Sequence, residues 1–354
     1  MRVLYFGTYE RAYPRNAQVI SCLRGAEVDV LERHVPVWEG TRHKFSPNLS
    51  GLVSVLRAEG RLAFSSADDA DALLVGYPGH PDVPAAKRVA RGRPVVFNPL
   101  VSLEDTMVGD RRLAKPRSPV ARALRLVDRI AFRRADHVVA DTAAHANYFR
   151  ERFELAEHRV SVCYVGAEDR LFKPGLRKAD GFHVLFVGKL IPLHGLETIL
   201  SAAALCPDIE FRVVGSGQLG GLMSQRPANV AWDEWVDYER LPELYRSAGC
   251  ALGIFGGSDK AARVIPNKAF HALATETPLV TADTPAAREL LYHERDALLV
   301  PPGDPGALAT AVRRLAADPA LARRIAAEGR ATYETNASED ALGRRWRSLF
   351  EKLV

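Results

Sequence analysis

The feature that most constrains the fold is a regular alternation of short β-rich runs with longer stretches rich in Ala, Arg and Leu. Such alternation is typical of βαβ units, whose strands form parallel sheets. Twelve runs qualify, and the polar stretch KPGLRKADG at 173–181 divides them into two sets of six. They are 2–8, 28–35, 71–78, 94–101, 137–142 and 161–167, followed by 183–190, 210–217, 230–236, 251–257, 278–284 and 297–303.

Two sets of six strands predict an α/β chain of two Rossmann-like domains, covering 1–175 and 176–337. The length of 354 residues agrees, because it exceeds what one hydrophobic core usually organises. The last segment, 338–354, is predicted to be a helix capped by Ser338 that packs back on the N-terminal domain. Ligands of open parallel sheets bind beyond the carboxyl ends of the strands. Two facing sheets would therefore line a central cleft, which suits a reaction between two substrates.

The composition indicates a globular protein with a mild preference for anionic partners. The hydrophobic fraction is 47% and the net charge is +5. No apolar run of about 18 residues is present, and the N-terminus lacks the features of a signal peptide. The four cysteines are far apart with no C-x-x-C pair, which indicates neither a zinc site nor a disulfide framework. We therefore expect a cytoplasmic protein with no nucleic-acid partner and an unknown oligomeric state.

Much of the positive charge lies in residues 111–134, which contain nine Arg or Lys residues and one Asp. Beyond Pro119, a helical projection places Val120, Leu124, Val127 and Ala131 on one stripe, with arginines on the opposite side. The first interpretation is an amphipathic helix with a solvated basic back. The second is electrostatic contact with an anionic membrane surface, which would place the protein at the inner face of the membrane.

The string GSGQLG at 215–220 matches the dinucleotide-binding pattern G-x-G-x-x-G. Its position argues against that function, because it follows the second strand of its set and precedes only a short segment broken by proline. We interpret Gly215 and Gly217 as a tight turn close to some ligand, and we expect no cofactor. The D-x-D pair of Asp69 and Asp71 precedes a strand instead of following one, so no metal site is expected.

Two helix starts in the second half carry basic residues. In VGKLIPLHG (187–195), Lys189 and His194 bracket the loop after a strand. In RVIPNKAFHALATETP (263–278), Asn267 is a natural N-cap, and Lys268 and His271 share one face of the helix that follows. The free N–H groups of a helix start attract anions, and neighbouring cations add to this attraction. Two such starts at one sheet edge predict a diphosphate site.

With WVDYERLPELY and ALLVPPGDPGALATAV, these motifs resemble family 4 of the retaining glycosyltransferases with the GT-B fold. The N-terminal FGTYERAYPRN, GYPGHPD and VVFNPLVSLEDT are consistent with one branch of that family. The resemblance implies two Rossmann-like domains facing a central cleft. It also implies a metal-independent transferase acting in glycan or natural-product biosynthesis. A nucleotide-diphosphate sugar would be the co-substrate on the C-terminal domain, with the acceptor on the N-terminal domain.

The resemblance also implies which residues bind the donor. The usual diphosphate-binding Arg and Lys of the family correspond to Lys189 and His194. The acidic E-x7-E pair, which contacts the donor sugar and the ribose, falls on Arg263 and His271, so both acids are missing. Glu276 replaces a usual Gly. The expected donor-binding set is Gly7, Arg15, Gly188, Lys189, His194, Gly195, Gly215, Gly217, Arg263, Pro266, Asn267, Lys268 and His271.

The expected catalytic residues are His80, Asn98 and Lys189. Asn98 stands where the family often has a His or Asp, and an amide cannot act as a general base. The resemblance therefore suggests front-face attack with retention, in which the leaving phosphate takes the acceptor proton. Two alternatives remain open. One is a nucleotide-sugar 2-epimerase on the same fold, and the other is a non-catalytic partner subunit that has lost the family's acids.

Overall fold

The chain forms two compact units, each with its own parallel sheet. The computed structural model describes residues 1–38, 49–67, 69–176 and 181–354. The N-terminal unit comprises Met1–Tyr164 and Glu339–Val354, and the C-terminal unit comprises Val165–Ser338. All twelve predicted strands are present, six in each unit. The predicted fold class of two Rossmann-like domains is confirmed.

The N-terminal unit has the strand order β2-β1-β3-β4-β5-β6, with every neighbouring pair parallel. Most of its strands are apolar runs, which is usual where helices cover both faces of a parallel sheet. Its strands are β1 (Arg2–Gly7), β2 (Asp29–His34), β3 (Ala72–Val75), β4 (Val95–Phe97), β5 (His137–Ala140) and β6 (Val160–Val162). Its helices are α1 (Pro14–Gly25), α2 (Leu49–Ala63), α3 (Asp82–Ala90), α4 (Pro119–Arg134), α5 (Ala143–Phe153) and, at the C-terminus of the chain, α13 (Glu339–Leu353).

The C-terminal unit has the strand order β12-β11-β10-β7-β8-β9, again all parallel. This is the doubly wound strand order of Rossmann folds. The chain adds strands on one side of β7 and then, from β10 onward, on its other side, so the switch point lies between β7 and β10. The strands are β7 (His183–Val187), β8 (Glu210–Val214), β9 (Val230–Asp233), β10 (Cys250–Leu252), β11 (Leu279–Ala282) and β12 (Leu298–Val300). The helices are α6 (Leu196–Ala204), α7 (Leu241–Ser247), α8 (Asp259–Ala262), α9 (Asn267–Ala274), α10 (Pro285–Arg288), α11 (Pro305–Ala317) and α12 (Pro319–Asn336).

The boundary between the units differs from the predicted position at 175/176. It lies at Tyr164/Val165, because the segment that follows packs on the C-terminal unit. The Tyr333 hydroxyl donates to the carbonyl of Ala167 at 3.3 Å and to Asp169 at 2.6 Å. The polar composition of 173–181 indicated where this segment ends. It did not show that the residues from Val165 onward already pack on the C-terminal unit. Residues 177–180 of the predicted linker lie outside the described residues.

Helix α13 packs on α1 in the N-terminal unit. The Ser21 hydroxyl donates to Glu339 at 3.0 Å, and a Cβ at Gly343 would lie 2.6 Å from the carbonyl oxygen of Cys22. Trp346 is fully buried in this packing. The Ser338 hydroxyl, predicted to cap this helix, donates to the Glu334 carbonyl of the preceding helix at 2.8 Å. A hydroxyl oxygen can accept a hydrogen bond at the same time, so the cap stays a prediction.

Helix α4 contains most of the basic stretch, but its buried face is rotated from the predicted stripe. Ala121, Asp128, Ala131 and Phe132 face the core, whereas Val120 is 50% exposed. Burial raises the pKa of Asp128, whose carboxylate accepts hydrogen bonds from the Ser102 hydroxyl and two backbone amides. The one acid of the stretch therefore anchors the helix inward. Among the described residues, no helix is long and apolar enough to cross a membrane.

Candidate anion-binding site

The candidate site lies at the switch point of the C-terminal sheet, between β7 and β10, where the order of the strands reverses. β7 ends at Val187, and Gly188 begins the loop that leads through a 3-10 turn (Pro192–His194) into α6. β10 is the neighbour of β7 on the other side of the switch point. Helix α9, which follows β10 and α8 in the chain, brings Lys268 to the Gly188 loop. Such crevices are the usual ligand sites of doubly wound sheets.

Lys268 is the central basic residue of this site. Its side chain is 5% exposed, its Nζ lies 3.2 Å from Nε2 of His194, and the centre of the Phe186 ring is 4.9 Å away. No carboxylate in the described part of the chain forms an ion pair with it. Because burial removes water from the ammonium group, the pKa of Lys268 is lowered to about 7.

His194 faces Lys268 with one ring nitrogen and its own loop with the other. Nδ1 contacts the carbonyl oxygen of Lys189, which can only accept a hydrogen bond, so Nδ1 carries the proton. The lone pair of Nε2 then accepts from the ammonium group of Lys268. The two residues, predicted as separate cations, therefore form one hydrogen-bonded pair with a single positive charge.

Glycines give the loops of this site their close approach. A Cβ at Gly188 would lie 2.8 Å from Nζ of Lys268 and 3.2 Å from the ring of His194. A Cβ at Gly215 would lie 2.0 Å from the Gly188 carbonyl oxygen, so the 215–217 turn packs directly beneath the Gly188 loop. Gly217 contacts the Leu190 backbone in the same way, and Gly195 contacts the backbone of Phe255. Four predicted site glycines thus lie around one loop.

The other predicted residues near α9 have different positions. Lys189 is exposed, and the half-buried Arg263 directly follows α8. The prediction of Asn267 as the N-cap is wrong. Pro266 occupies that position without a side-chain cap, and Asn267 is the first helical residue. A proline fits there because the helix start needs extended backbone and no N–H donor.

His271 lies close enough to Lys268 to be affected by its charge, but its ring contacts are with aromatic side chains. Its ring stacks on Phe172 and meets Tyr238 and Tyr245 edge-on. Burial, with a smaller effect from the charge of Lys268, lowers the pKa of His271 to about 3. The imidazole is therefore neutral at pH 7 and belongs to an aromatic cluster. The structure gives no support for His271 as a donor-binding residue.

Arg15 and Asn98 lie inside the N-terminal unit. The fully buried guanidinium of Arg15 donates to the Tyr164 carbonyl at 2.6 Å, to the Cys163 carbonyl at 3.1 Å and to Oδ1 of Asn98 at 3.2 Å. It also lies 5.9 Å from the ring centre of Trp346. These contacts give Arg15 a role inside the unit, because the buried carbonyl groups that follow β6 need hydrogen-bond donors. Donor binding by Arg15 stays a prediction beside this interior role.

His80 and Gly7 are also engaged within the N-terminal unit. His80 is 1% exposed, and its Nε2 lies 3.0 Å from the Val101 carbonyl oxygen and 3.5 Å from Oδ1 of Asp128. A Cβ at Gly7 would lie 2.1 Å from Oδ2 of Asp82. Gly7, expected in the donor-binding set, is thus closely approached by Asp82, whose carboxylate also accepts from the Thr8 amide at 2.8 Å.

A buried polar pair that was not predicted from the sequence lies at the carboxyl edge of the N-terminal sheet. Asp141 follows β5, and its Oδ1 lies 2.6 Å from Nδ1 of His145 in the first turn of α5. The i, i+4 spacing of these residues was the available signal. Thr142 caps the same helix through the amide of His145. We assign the Asp141–His145 pair a structural role at the start of α5. Among the described residues, no group of three or more His, Cys, Asp or Glu residues is arranged to hold a metal ion.

The C-terminal unit matches a known protein family over most of its length. Residues 181–318 match the family model of the glycosyl transferases group 1. This stretch contains Gly188, His194, Lys268 and both loops of the candidate site. It ends before α12, so it covers less than half of the chain.

Curated relatives match at low identity. The lipopolysaccharide core biosynthesis glycosyltransferase LpsD of Rhizobium meliloti is 27% identical over 184 residues, covering 50% of this chain and 51% of the relative. The D-inositol 3-phosphate glycosyltransferase of Mycolicibacterium vanbaalenii is 28% identical over 239 residues, covering 59% and 52%. The chain thus spans about half the length of these relatives.

Solved structures share the fold over the whole chain. Sucrose-phosphate synthase from Thermosynechococcus elongatus has a TM-score of 0.75 at 18% identity, covering 99% of this chain and 98% of that one. Anabaena HepE in complex with UDP has a TM-score of 0.73 at 17% identity, with both chains covered fully. The same protein was also solved with UDP-glucose. The pair of parallel sheets is therefore that of GT-B glycosyltransferase structures.

Proposed function

We propose that this chain is a glycosyltransferase that moves a sugar from a nucleotide-diphosphate donor to an acceptor hydroxyl. The observation that carries the proposal is the buried Lys268–His194 pair over Gly188. It lies at the switch point of the C-terminal sheet, inside the stretch that matches the glycosyl transferases group 1 model. A buried ammonium group without a carboxylate is costly, and an anionic ligand would compensate its charge.

The donor's diphosphate is the anion that suits this site. The ammonium group of Lys268 would neutralise charge that develops on the leaving group, and Lys189 on the exposed side of the loop would add to it. Helix α6 begins directly after the same loop, and the free N–H groups of a helix start favour an anion. We assign retention, independence of metal ions and a cytoplasmic location to this proposal from the sequence resemblance.

The direct test is ligand binding followed by turnover. Thermal-shift measurements with UDP, GDP and dTDP, free and sugar-linked, identify the base. UDP is the first probe because the HepE structure of the same fold was solved with it. We expect a rise in Tm with one nucleotide and its loss in Lys268→Met. No response to any of the nucleotides would overturn the proposal.

Turnover separates the remaining alternatives. A transferase consumes the nucleotide sugar when an acceptor is supplied, and analysis of the product's anomeric configuration tests retention. An epimerase would convert the nucleotide sugar with no acceptor present. A partner subunit would bind without turnover in any acceptor mixture. The acceptor itself remains to be identified, and lipid-linked and soluble anionic acceptors should both be screened because of the basic residues on α4.

A further inference from the structure

His194 occupies a position where a cation would add charge to the site, yet its contacts hold it as a neutral ring. The ring is 9% exposed and lies edge-on to Phe186, with centroids 5.8 Å apart. Nδ1 is committed to the Lys189 carbonyl in the same turn. The ring therefore has a fixed orientation, and its second nitrogen points at Lys268.

A second proton on His194 would conflict with this arrangement. Both ring nitrogens would then be donors, and Nε2–H would face the ammonium group of Lys268 at 3.2 Å. Two positive charges at that distance repel, and burial increases the cost. The pair consequently shares one proton between Nε2 and Nζ. It presents one charge to a ligand, not two.

The orientation of Lys268 depends on this hydrogen bond. Lysine has a long flexible side chain, and its other close contacts are the Phe186 ring and the Gly188 backbone. The groups that face it are His194 from the 192–194 turn, Phe186 from β7 and His271 from its own helix. No acidic side chain in the described residues directs it. Within the described part of the chain, His194 is thus the strong hydrogen-bond acceptor that sets where Nζ lies.

We propose that His194 is a neutral positioning residue, which holds the ammonium group of Lys268 over Gly188 for the donor's diphosphate and is not itself a diphosphate-binding cation. This inference rests on the proposed function of the same site. The family resemblance implied that His194 binds the diphosphate as a basic residue, whereas this inference gives it the role of positioning Lys268. The consequence is that an acceptor atom at position 194 matters, whereas a positive charge there is harmful.

Three variants separate the two roles. His194→Gln keeps an acceptor and a donor without a charge, His194→Lys supplies a permanent cation, and His194→Leu supplies neither. We would measure the affinity for UDP and for inorganic pyrophosphate by isothermal titration between pH 6 and 9. Lys268→Met is the control that shows the probes bind at this site, and Tm of each variant reports folding.

We expect His194→Gln to bind within about threefold of the unsubstituted protein, and both His194→Lys and His194→Leu to bind about tenfold more weakly. In His194→Lys the loss of affinity with rising pH should begin at least about one pH unit lower, because a second ammonium group promotes deprotonation of Lys268. The opposite order, with His194→Lys equal to the unsubstituted protein and His194→Gln weakened, overturns the proposal. So does an equal loss in His194→Gln and His194→Leu with unchanged Tm.

The same measurements distinguish this inference from the proposed function. Binding of pyrophosphate but of no nucleotide, with the expected order of variants, would reject nucleotide-sugar transfer and keep the role of His194. Binding of UDP that is insensitive to all three variants would keep the nucleotide function and reject the role. If the unsubstituted protein binds neither probe, both proposals are rejected.

Discussion

The imidazole ring of His271 lies parallel to the phenyl ring of Phe172, with centroids 3.9 Å apart and 7° between the planes. Phe172 belongs to the segment that connects the N-terminal unit to β7, so the stacking ties this segment to α9. Tyr245 of α7 meets the same imidazole edge-on. A residue that a sequence comparison places at a ligand is thus part of the packing that fixes the start of the C-terminal unit.

His271 should make the protein sensitive to acid. Its pKa is about 3 in the folded chain and about 6.5 when unfolded. The unfolded state therefore binds more protons between these values, and stability is lost as the pH falls from about 6.5 toward 3. His271→Phe should keep Tm at pH 7 and reduce the loss between pH 7 and 4 by on the order of 2 kcal/mol.

The control for this prediction is His158→Gln, at an exposed position. Thermal unfolding followed by circular dichroism across the pH range gives the comparison. His271→Glu provides the opposite change, because a carboxylate cannot be solvated among Phe172, Tyr238 and Tyr245. It should lower stability at pH 7 by about 3 kcal/mol. A variant with the Tm of the unsubstituted protein and tighter nucleotide binding would contradict this placement.

Lys268 should link anion binding to pH in the neutral range. Its pKa of about 7 in the folded chain lies below the ordinary value, so the unfolded state holds more protons between about 7 and 10.5. Stability without ligand should therefore rise with pH from about 7 to 9, by roughly 1–2 kcal/mol. Affinity for a diphosphate should fall over the same range, because the site loses its charge.

Lys268→Met tests both halves of this prediction. It removes the buried charge, so the rise of Tm between pH 7 and 9 should disappear while Tm at pH 7 increases. Titration with UDP should show at least about a tenfold loss of affinity, which is the effect expected for a lost charge-assisted hydrogen bond. Lys352→Met, at the exposed end of α13, is the matched control. Unchanged pH dependence in Lys268→Met would contradict the prediction.

Gly188 should be intolerant of any side chain. A Cβ there would lie 2.8 Å from Nζ of Lys268, so Gly188→Ala should displace the ammonium group from His194. We expect a fall in UDP affinity of about tenfold together with a loss of Tm, because the backbone of Gly188 has a φ of 156°, which residues with a side chain rarely adopt. Gly220→Ala is the control, since a Cβ there meets nothing within 4 Å. Equal affinities for the two variants would mean that Lys268 is not where the ligand binds.

The fold could be predicted because βαβ periodicity is local. All twelve strands follow from runs of apolar residues, and errors concern their ends. β3, for example, stops at Val75 before Gly76, although the apolar run continues to Pro78. Glu276, expected at a glycine position from the resemblance, has a φ of 55°, which is the left-handed conformation that glycine adopts easily. At Glu276, the glycine expected from the resemblance and the observed backbone conformation therefore agree.

The site could be predicted only as a region. Basic residues near two helix starts indicated the two loops that the structure brings together, because helix starts follow strand ends in the chain. Spacing along α9 could not show that Lys268 faces Phe186 whereas His271 faces Phe172, since both partners come from distant segments. Nor could it show that the lone pair of His194 is directed at Lys268. Protonation and pairing depend on these tertiary contacts.

Arg15 gives a prediction that separates an interior role from the donor-binding role expected from the sequence. Its guanidinium donates to the carbonyls of Cys163 and Tyr164, which are the last residues before the chain enters the C-terminal unit. Arg15→Met should leave these buried carbonyls without their donor and lower the free energy of unfolding by about 3–5 kcal/mol. Under conditions where the variant is folded, UDP affinity should remain within about twofold of the unsubstituted protein.

The measurement combines urea unfolding at pH 7.5 with isothermal titration of UDP at a temperature well below Tm. Arg24→Met is the control on the same helix, because Arg24 is exposed and pairs with Glu32 at the surface. That pair should contribute less than about 1 kcal/mol. If Arg15 were a donor-binding cation, Arg15→Met would unfold at the same urea concentration as Arg24→Met and bind UDP at least about tenfold more weakly. The buried hydrogen bonds lead us to expect the reverse for both quantities.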